Sequence, residues 1–203
     1  MSRLLGLQKA PVFAEQGDAK VTAEFGKNIK DYPTQGKRGD HNGIDLVRCT
    51  DGKNSTAATV CAIADGVVTA QRKWVKGFRS DSATGGNCVY IKHGNGMTSK
   101  YLHLKYGTVP DRIADGAAVK KGETLGYMGA TGLAYGSHLH FQVEDENGTP
   151  VDPEPYLLGK KSFDKTAARY RLALAASYES KSDAEAAAAY LKKAGVSVEL
   201  LTE

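Results

Sequence analysis

Ser137-His138-Leu139-His140-Phe141-Gln142-Val143 alternates polar and apolar residues without a break. In an extended strand successive side chains point to opposite faces, so His138, His140 and Gln142 share one face while Leu139, Phe141 and Val143 share the other. This period of two predicts a half-buried strand with an imidazole-rich polar face. The same pattern recurs upstream. In His41-Asn42-Gly43-Ile44-Asp45-Leu46, His41, Gly43 and Asp45 fall on one face and Ile44 and Leu46 on the other. In Tyr101-Leu102-His103-Leu104 a histidine again opposes leucines. Three separated segments can therefore direct imidazole or carboxylate to a single sheet face.

The surrounding chain supports a sheet. Gly66 to Ala70, Cys88 to Lys92, Ser99 to Leu104 and His138 to Glu144 are short β-rich runs separated by Gly, Asn and Asp turns. Asn95-Gly96 and Asn147-Gly148 are hairpin dipeptides. Of the 23 glycines only Gly195 lies beyond Gly159, and alanines take over there, so two architectures share the chain. The expected fold is mainly β: a compact antiparallel β-sandwich or barrel-like domain followed by a small βαβ unit. Residues 1–19 are expected as an N-terminal arm, 20–158 as the β domain, 159–168 as a linker and 169–203 as the accessory unit. Within that unit Arg169 to Ser177 and Val196 to Leu201 are predicted strands flanking a helix over Ser182 to Ala194. Ser182 with Glu185 forms a capping box, and Gly195 stands just past the helix end. So small a unit needs cover from the β domain or from a second copy, which makes a homodimer through it an expectation.

Composition excludes several classes. The chain has 203 residues, 41% hydrophobic and 25% charged, which fits a folded domain rather than a disordered one. Its apolar runs, such as Val60 to Ala64, are far short of the roughly 20 residues of a membrane helix. The apolar stretch after Arg3 is too short for a secretory leader. A net charge of +4, scattered along the chain, gives no nucleic-acid footprint. Cys49, Cys61 and Cys88 are too few and too widely spaced for a thiolate zinc site. Cys49 and Cys61 flank a polar loop across which they could pair, but free buried thiols are the simpler expectation.

A hydrolytic zinc site needs three nitrogen or oxygen ligands and one open position. Two histidines and one aspartate suffice, and His41, Asp45, His138 and His140 each occupy the polar face of an otherwise apolar strand. Asp65 belongs to an Asp-Gly turn, and His93, beside a turn, reads as a structural hydrogen-bonding histidine. The helical zincin motif, with its glutamate base, is absent, so a non-ligand histidine must carry the proton. Gly129, Gly132 and Gly136 either clear a path for an extended substrate or serve turns. Tyr101, Tyr127 and Tyr135 are candidates for the groove walls, although a packed tyrosine is the commoner case.

On these segments the sequence resembles the lysostaphin-type zinc endopeptidases, which cut peptides in bacterial cell walls. The resemblance runs in family order through Val21 to Gly26, His41 to Leu46, Ala64 to Val68, Tyr101 to Leu104, Gly129 to Gly132, His138 to Phe141 and Asn147 to Pro153. It implies that His41, Asp45 and His140 bind one zinc ion per chain and that His103 and His138 are the non-ligand catalytic histidines. A departure follows Gly26, where Lys27 stands in place of the arginine common in the family. The tail also resembles, loosely, half of a sporulation-related repeat, a fold that binds peptidoglycan glycans.

The resemblance implies an endopeptidase acting on peptide stems or cross-bridges of peptidoglycan, outside the cytoplasm. Without a visible leader, such a chain is phage-associated, holin-released or already processed. The competing class is a wall-binding or amidase-activating module without turnover. Specificity is expected in the loops Lys27 to Asp40 and Trp74 to Gly86.

Overall fold

A computed structural model of the chain describes residues 2–26, 41–81, 83–164, 185 and 188–190. The chain divides into two compact units, Met1–Phe163 and Asp164–Glu203. In the second, Glu185 and Ala188–Tyr190 are helical, within the helix predicted over Ser182 to Ala194. Both flanking strands, and the dimer expectation attached to them, lie outside the described residues.

The described part of the first unit holds strands β1 (Arg3–Leu4), β2 (Asp18–Ala23), β3 (Ile44–Thr50), β4 (Lys53–Asn54), β5 (Thr59–Cys61) and β6 (Gly66–Arg72). They are followed by β7 (Asn87–Lys92), β8 (Thr98–Leu104), β9 (Ala118–Val119), β10 (Thr124–Tyr127), β11 (Leu139–Glu144), β12 (Pro150–Val151) and helix α1 (Glu154–Leu157). The main sheet runs β1-β2-β3-β11-β8-β7-β6-β9, with β4 on β3 and β12 on β11, and β5 pairs β10 in a separate ribbon. Among the described residues all strand pairings are antiparallel, and neither sheet closes into a barrel. Both Asn-Gly dipeptides lie between paired strands, β7–β8 and β11–β12. Gly96 and Gly148 adopt φ of +87° and +81°, which glycine reaches without steric cost.

Register sorts the central strands into two faces. On one, Phe141 of β11 sits opposite Ile44 of β3 and Tyr101 of β8, and Tyr101 opposite Val89 of β7. All four are buried, and the Tyr101 and Phe141 rings lie 5.3 Å apart at their centroids. On the other face His140 is opposite Asp45 and Leu102, and Gln142 is opposite Lys100. The apolar face joins a core to which the N-terminal segment adds Ala10, Val12 and Phe13. Cys49, Cys61 and Cys88 are free and buried. No helix among the described residues is long and apolar enough to cross a membrane.

Buried polar groups in the core form a satisfied chain. His93 Nδ1 donates to the Asp65 carbonyl at 2.8 Å, and its Nε2 accepts from Ser99 Oγ at 2.8 Å. Ser99 Oγ lies 3.2 Å from the Tyr101 hydroxyl, which accepts from the Ile63 amide at 2.9 Å. The Phe163 ring lies 4.2 Å from that of His93 and 4.7 Å from that of Tyr156, fastening the segment after α1 against the β7–β8 turn. His93 is thus the structural histidine that the sequence suggested. Burial lowers its pKa below the ordinary 6.5, only partly offset by the Asp65 carbonyl bond. As pH falls through 6.5 the unfolded chain takes up a proton that the folded one does not, so stability drops with acidification. His93→Gln is expected to flatten that part of the fall in melting temperature between about pH 7 and pH 5, measured on metal-free protein. Parallel curves for the two proteins would exclude His93 as a source of acid lability.

Candidate metal centre

The β3–β11 register makes the site. Asp45 and His140 are directly opposed, and His41, four residues before Asp45, reaches the same point from the segment preceding β3. His140 Nδ1 lies 3.0 Å from Asp45 Oδ1, His41 Nε2 lies 3.2 Å from the same oxygen, and the two nitrogens are 3.0 Å apart. Zinc bonds of about 2.0–2.1 Å in a tetrahedron put ligand atoms roughly 3.3 Å apart, so this triangle of donors fits such an ion. Among the described residues it is the one group of three metal-competent side chains that converge in this way.

Backbone carbonyls fix which nitrogen of each ring is bare. His41 Nδ1 donates to the Glu24 carbonyl at 3.0 Å, which turns Nε2 toward Asp45. His103 Nδ1 donates to the Thr131 carbonyl and His138 Nδ1 to the Gly136 carbonyl, both at 2.8 Å. His138 Nε2 is buried, makes no hydrogen bond among the described residues and stands 3.7 Å from Asp45 Oδ1. The His103 ring is centred 4.8 Å from that of His138 and 6.0 Å from that of His140. The structure therefore brings all five residues singled out in the sequence into one cluster.

Burial opposes the charge on Asp45, but bonds from His140 and His41 and the neighbouring imidazoles hold its carboxyl far below the usual range. His41 is raised despite its own burial, through the bond and charge of Asp45. His103 is pushed down to about 3 by burial and then by the charges of His138 and His140, so it is neutral at physiological pH.

His103 reaches this cluster by a route that alternation does not describe. Lys100 and Leu102 lie on the site face and Tyr101 in the core, so strict alternation would carry His103 to the core side. Instead His103 has φ +62°, the β7–β8 register slips between Asn87 and Val89, and Leu104 takes the core position. Thr131 secures this bulge: its carbonyl receives His103, and its hydroxyl donates to the Leu104 carbonyl at 2.7 Å.

The candidate glycines separate by cause. A side chain at Gly129 would strike the Lys105 backbone at 2.6 Å, and one at Gly132 the Thr84 carbonyl at 2.2 Å, so both serve close backbone packing within the protein. Only at Gly136 is the space open. Of the three tyrosines, Tyr101 is a core residue and not a groove wall, whereas Tyr127 and Tyr135 are exposed. Tyr127 lines a cavity of about 520 Å³ with Glu15, Lys105, Gly129 and Ser137, and none of the five clustered residues is among its lining.

Gly43, noted in the sequence only for its place on the polar face, proves structural to the site. A methyl there would sit 2.6 Å from His140 Nε2 and 2.6 Å from the Phe141 carbonyl. Gly43→Ala is expected to force β3 and β11 apart beside the donors, costing about 1–3 kcal/mol, readable as a lower urea midpoint. An unchanged midpoint would mean that the strands yield freely there.

The model for peptidase family M23 matches residues 39–153. The DD-carboxypeptidase/endopeptidase Mpg of Neisseria meningitidis serogroup B is 34% identical over 113 residues, 56% of this chain and 22% of that protein. Peptidoglycan DD-endopeptidase ShyC of Vibrio cholerae is 34% identical over 111 residues, 55% of this chain and 22% of that protein. The chain thus spans about a fifth of the length of either relative. Among solved structures, the catalytic domain of the antimicrobial peptidase lysostaphin from Staphylococcus simulans aligns with a TM-score of 0.51 at 25% identity, over 68% of this chain and 91% of that one. The family match takes in more than half of the chain and includes all five clustered residues: this chain belongs to peptidase family M23.

Proposed function

We propose that the chain is a zinc-dependent endopeptidase acting on peptide stems or cross-bridges of bacterial peptidoglycan, and hence outside the cytoplasm. The carrying observation is the triangle of donors from His41, Asp45 and His140 beside two further histidines whose Nε2 atoms are bare. The names of Mpg and ShyC support the substrate class. Zinc bound to the triangle supplies Lewis acidity toward the scissile carbonyl and acidifies a water molecule. The chain's own residues manage the proton. His138 Nε2, with the Asp45 charge 3.7 Å away, accepts it from the attacking water and returns it to the leaving amine. His103, held neutral by burial, lies beside that path and shares the transfer.

The complete ligand set favours an enzyme over a silent wall-binding module. We assign catalysis to the first unit, because residues 164–203 contain no histidine or cysteine, and treat the second as accessory. Defined muropeptides should be digested with zinc-loaded protein and the products weighed by mass spectrometry. Internal peptide cleavage is expected. Release of a terminal residue alone would make it a carboxypeptidase, and intact substrate with a full complement of zinc would overturn the assignment.

A further inference from the structure

We infer that the exposed rim formed by residues 72–79 and Tyr135 is a docking surface for an anionic peptide, and that it selects carboxylate-bearing peptide stems over neutral cross-bridges. The inference deepens the peptidoglycan endopeptidase reading and rests on it. Trp74, Phe78 and Tyr135 are 60%, 53% and 61% exposed, and the Phe78 and Tyr135 rings lie 5.5 Å apart at their centroids. The loop that carries Trp74 and Phe78 is pinned without them. Val75, between them, is buried, its amide donating to Asn87 Oδ1 and its carbonyl accepting from Asn87 Nδ2, both at 2.8 Å. The Gly132 amide donates to the Gly77 carbonyl at 2.9 Å, and the Arg79 amide to the Gly132 carbonyl at 2.8 Å. Backbone bonds and Asn87 therefore fix the loop, and the exposed rings form a preorganised apolar patch of the kind that marks an interaction surface.

Position and charge define the ligand. Phe78 is bridged to Gly132, next to the Thr131 whose carbonyl receives His103, and Tyr135 precedes the Gly136 whose carbonyl receives His138. An extended peptide held on these rings spans to the cluster within a few residues. The same rim is cationic, with Arg72, Lys73, Lys76 and Arg79 in one short stretch. Asp81 neutralises Arg79, and Asp111 lies 3.8 Å from Lys73, but among the described residues no carboxylate pairs with Arg72 or Lys76. Arg72 instead lies 5.8 Å from the centre of the Trp74 ring, and Lys76 5.7 Å from that of the exposed Tyr106. Two cations set against aromatic rings, without a carboxylate of their own, suit an anion with an apolar body. A peptide stem, with free carboxylates on its acidic residue and at its end, has that chemistry, and a run of glycines lacks it.

Trp74 is the single tryptophan of the chain, so its fluorescence reports on the patch directly. The full chain, supplied with zinc, is titrated with one uncross-linked peptide stem, with the same stem after amidation of its carboxylates, with pentaglycine and with a chitin oligosaccharide. The acidic stem should shift the emission saturably and bind about 10-fold more tightly than the amidated stem or pentaglycine, a preference that shrinks as salt is raised. Arg72→Gln/Lys76→Gln should erase that preference. Phe78→Ser should raise KM for a cross-linked muropeptide by about 10-fold with kcat little changed, as loss of uniform binding does. Equal affinity for the acidic and amidated stems, a comparison that needs no variant, or chitin oligosaccharide binding as tight as the acidic stem, would overturn the docking surface. The titration does not depend on turnover. Binding of the acidic stem without cleavage of the cross-linked muropeptide would therefore overturn the endopeptidase reading alone, and cleavage with no preference for free carboxylates would overturn the docking surface alone.

Discussion

Replacing Asp45 by alanine is expected to abolish zinc uptake and to lower turnover by more than about 10,000-fold, a small part of what enzymes commonly contribute. Asp45 is the shared partner of the cluster, with one carboxylate oxygen 3.0 Å from His140, 3.2 Å from His41 and 3.7 Å from His138. Its loss removes one of three donors and also the negative charge that offsets a dication among imidazoles. Removing zinc should lower the melting temperature of wild type, because an ion that binds only the folded state stabilises it. The Asp45→Ala protein should melt at one temperature with or without chelator. If it kept a full complement of zinc and wild-type cleavage, the ligand assignment would be wrong.

His138→Ala and His103→Ala should separate chemistry from metal binding. Each is expected to retain zinc while losing about 100- to 10,000-fold in turnover, the usual range for a displaced proton-transfer group. The two should differ in their rescue by small bases, since only His138 presents an unbonded buried nitrogen near Asp45. For His103, asparagine is the better replacement: its backbone tolerates the left-handed conformation at φ +62°, so the bulge survives while the imidazole is gone. Loss of zinc in a folded His138 or His103 variant would move that histidine into the ligand set.

Much of this arrangement is legible in the sequence because it rests on a period of two. The alternation around His140 and Asp45 fixes which side chains share a face, and both strands are long enough to show it. Gln142 was legible as a neighbour of the histidines, but its place opposite Lys100 of another strand was not, because register across strands has no local signature. His103 belongs to the cluster for a reason hidden from pattern reading. Its face is set by one backbone torsion, which Thr131 and the partner strand impose from elsewhere in the chain. The glycines were ambiguous because clearing substrate and clearing the protein's own backbone require the same absence of a Cβ.

The bulge at His103 also bears on any attempt to graft this centre onto another scaffold. Adjacent antiparallel strands would accept Asp45 and His140 as ordinary positions on one face, with His41 on the segment leading into the first, and a design built on ideal strand geometry would reproduce the donor triangle. Idealising the third strand would restore a negative φ at position 103 and swing its imidazole to the opposite side of the sheet. Such a graft would hold the same three donors and keep His138 but lose the imidazole of His103 from the cluster, and with it the second proton-transfer group. The irregular torsion is therefore part of the specification, and a transplant must copy Thr131 and its loop along with the histidine they hold.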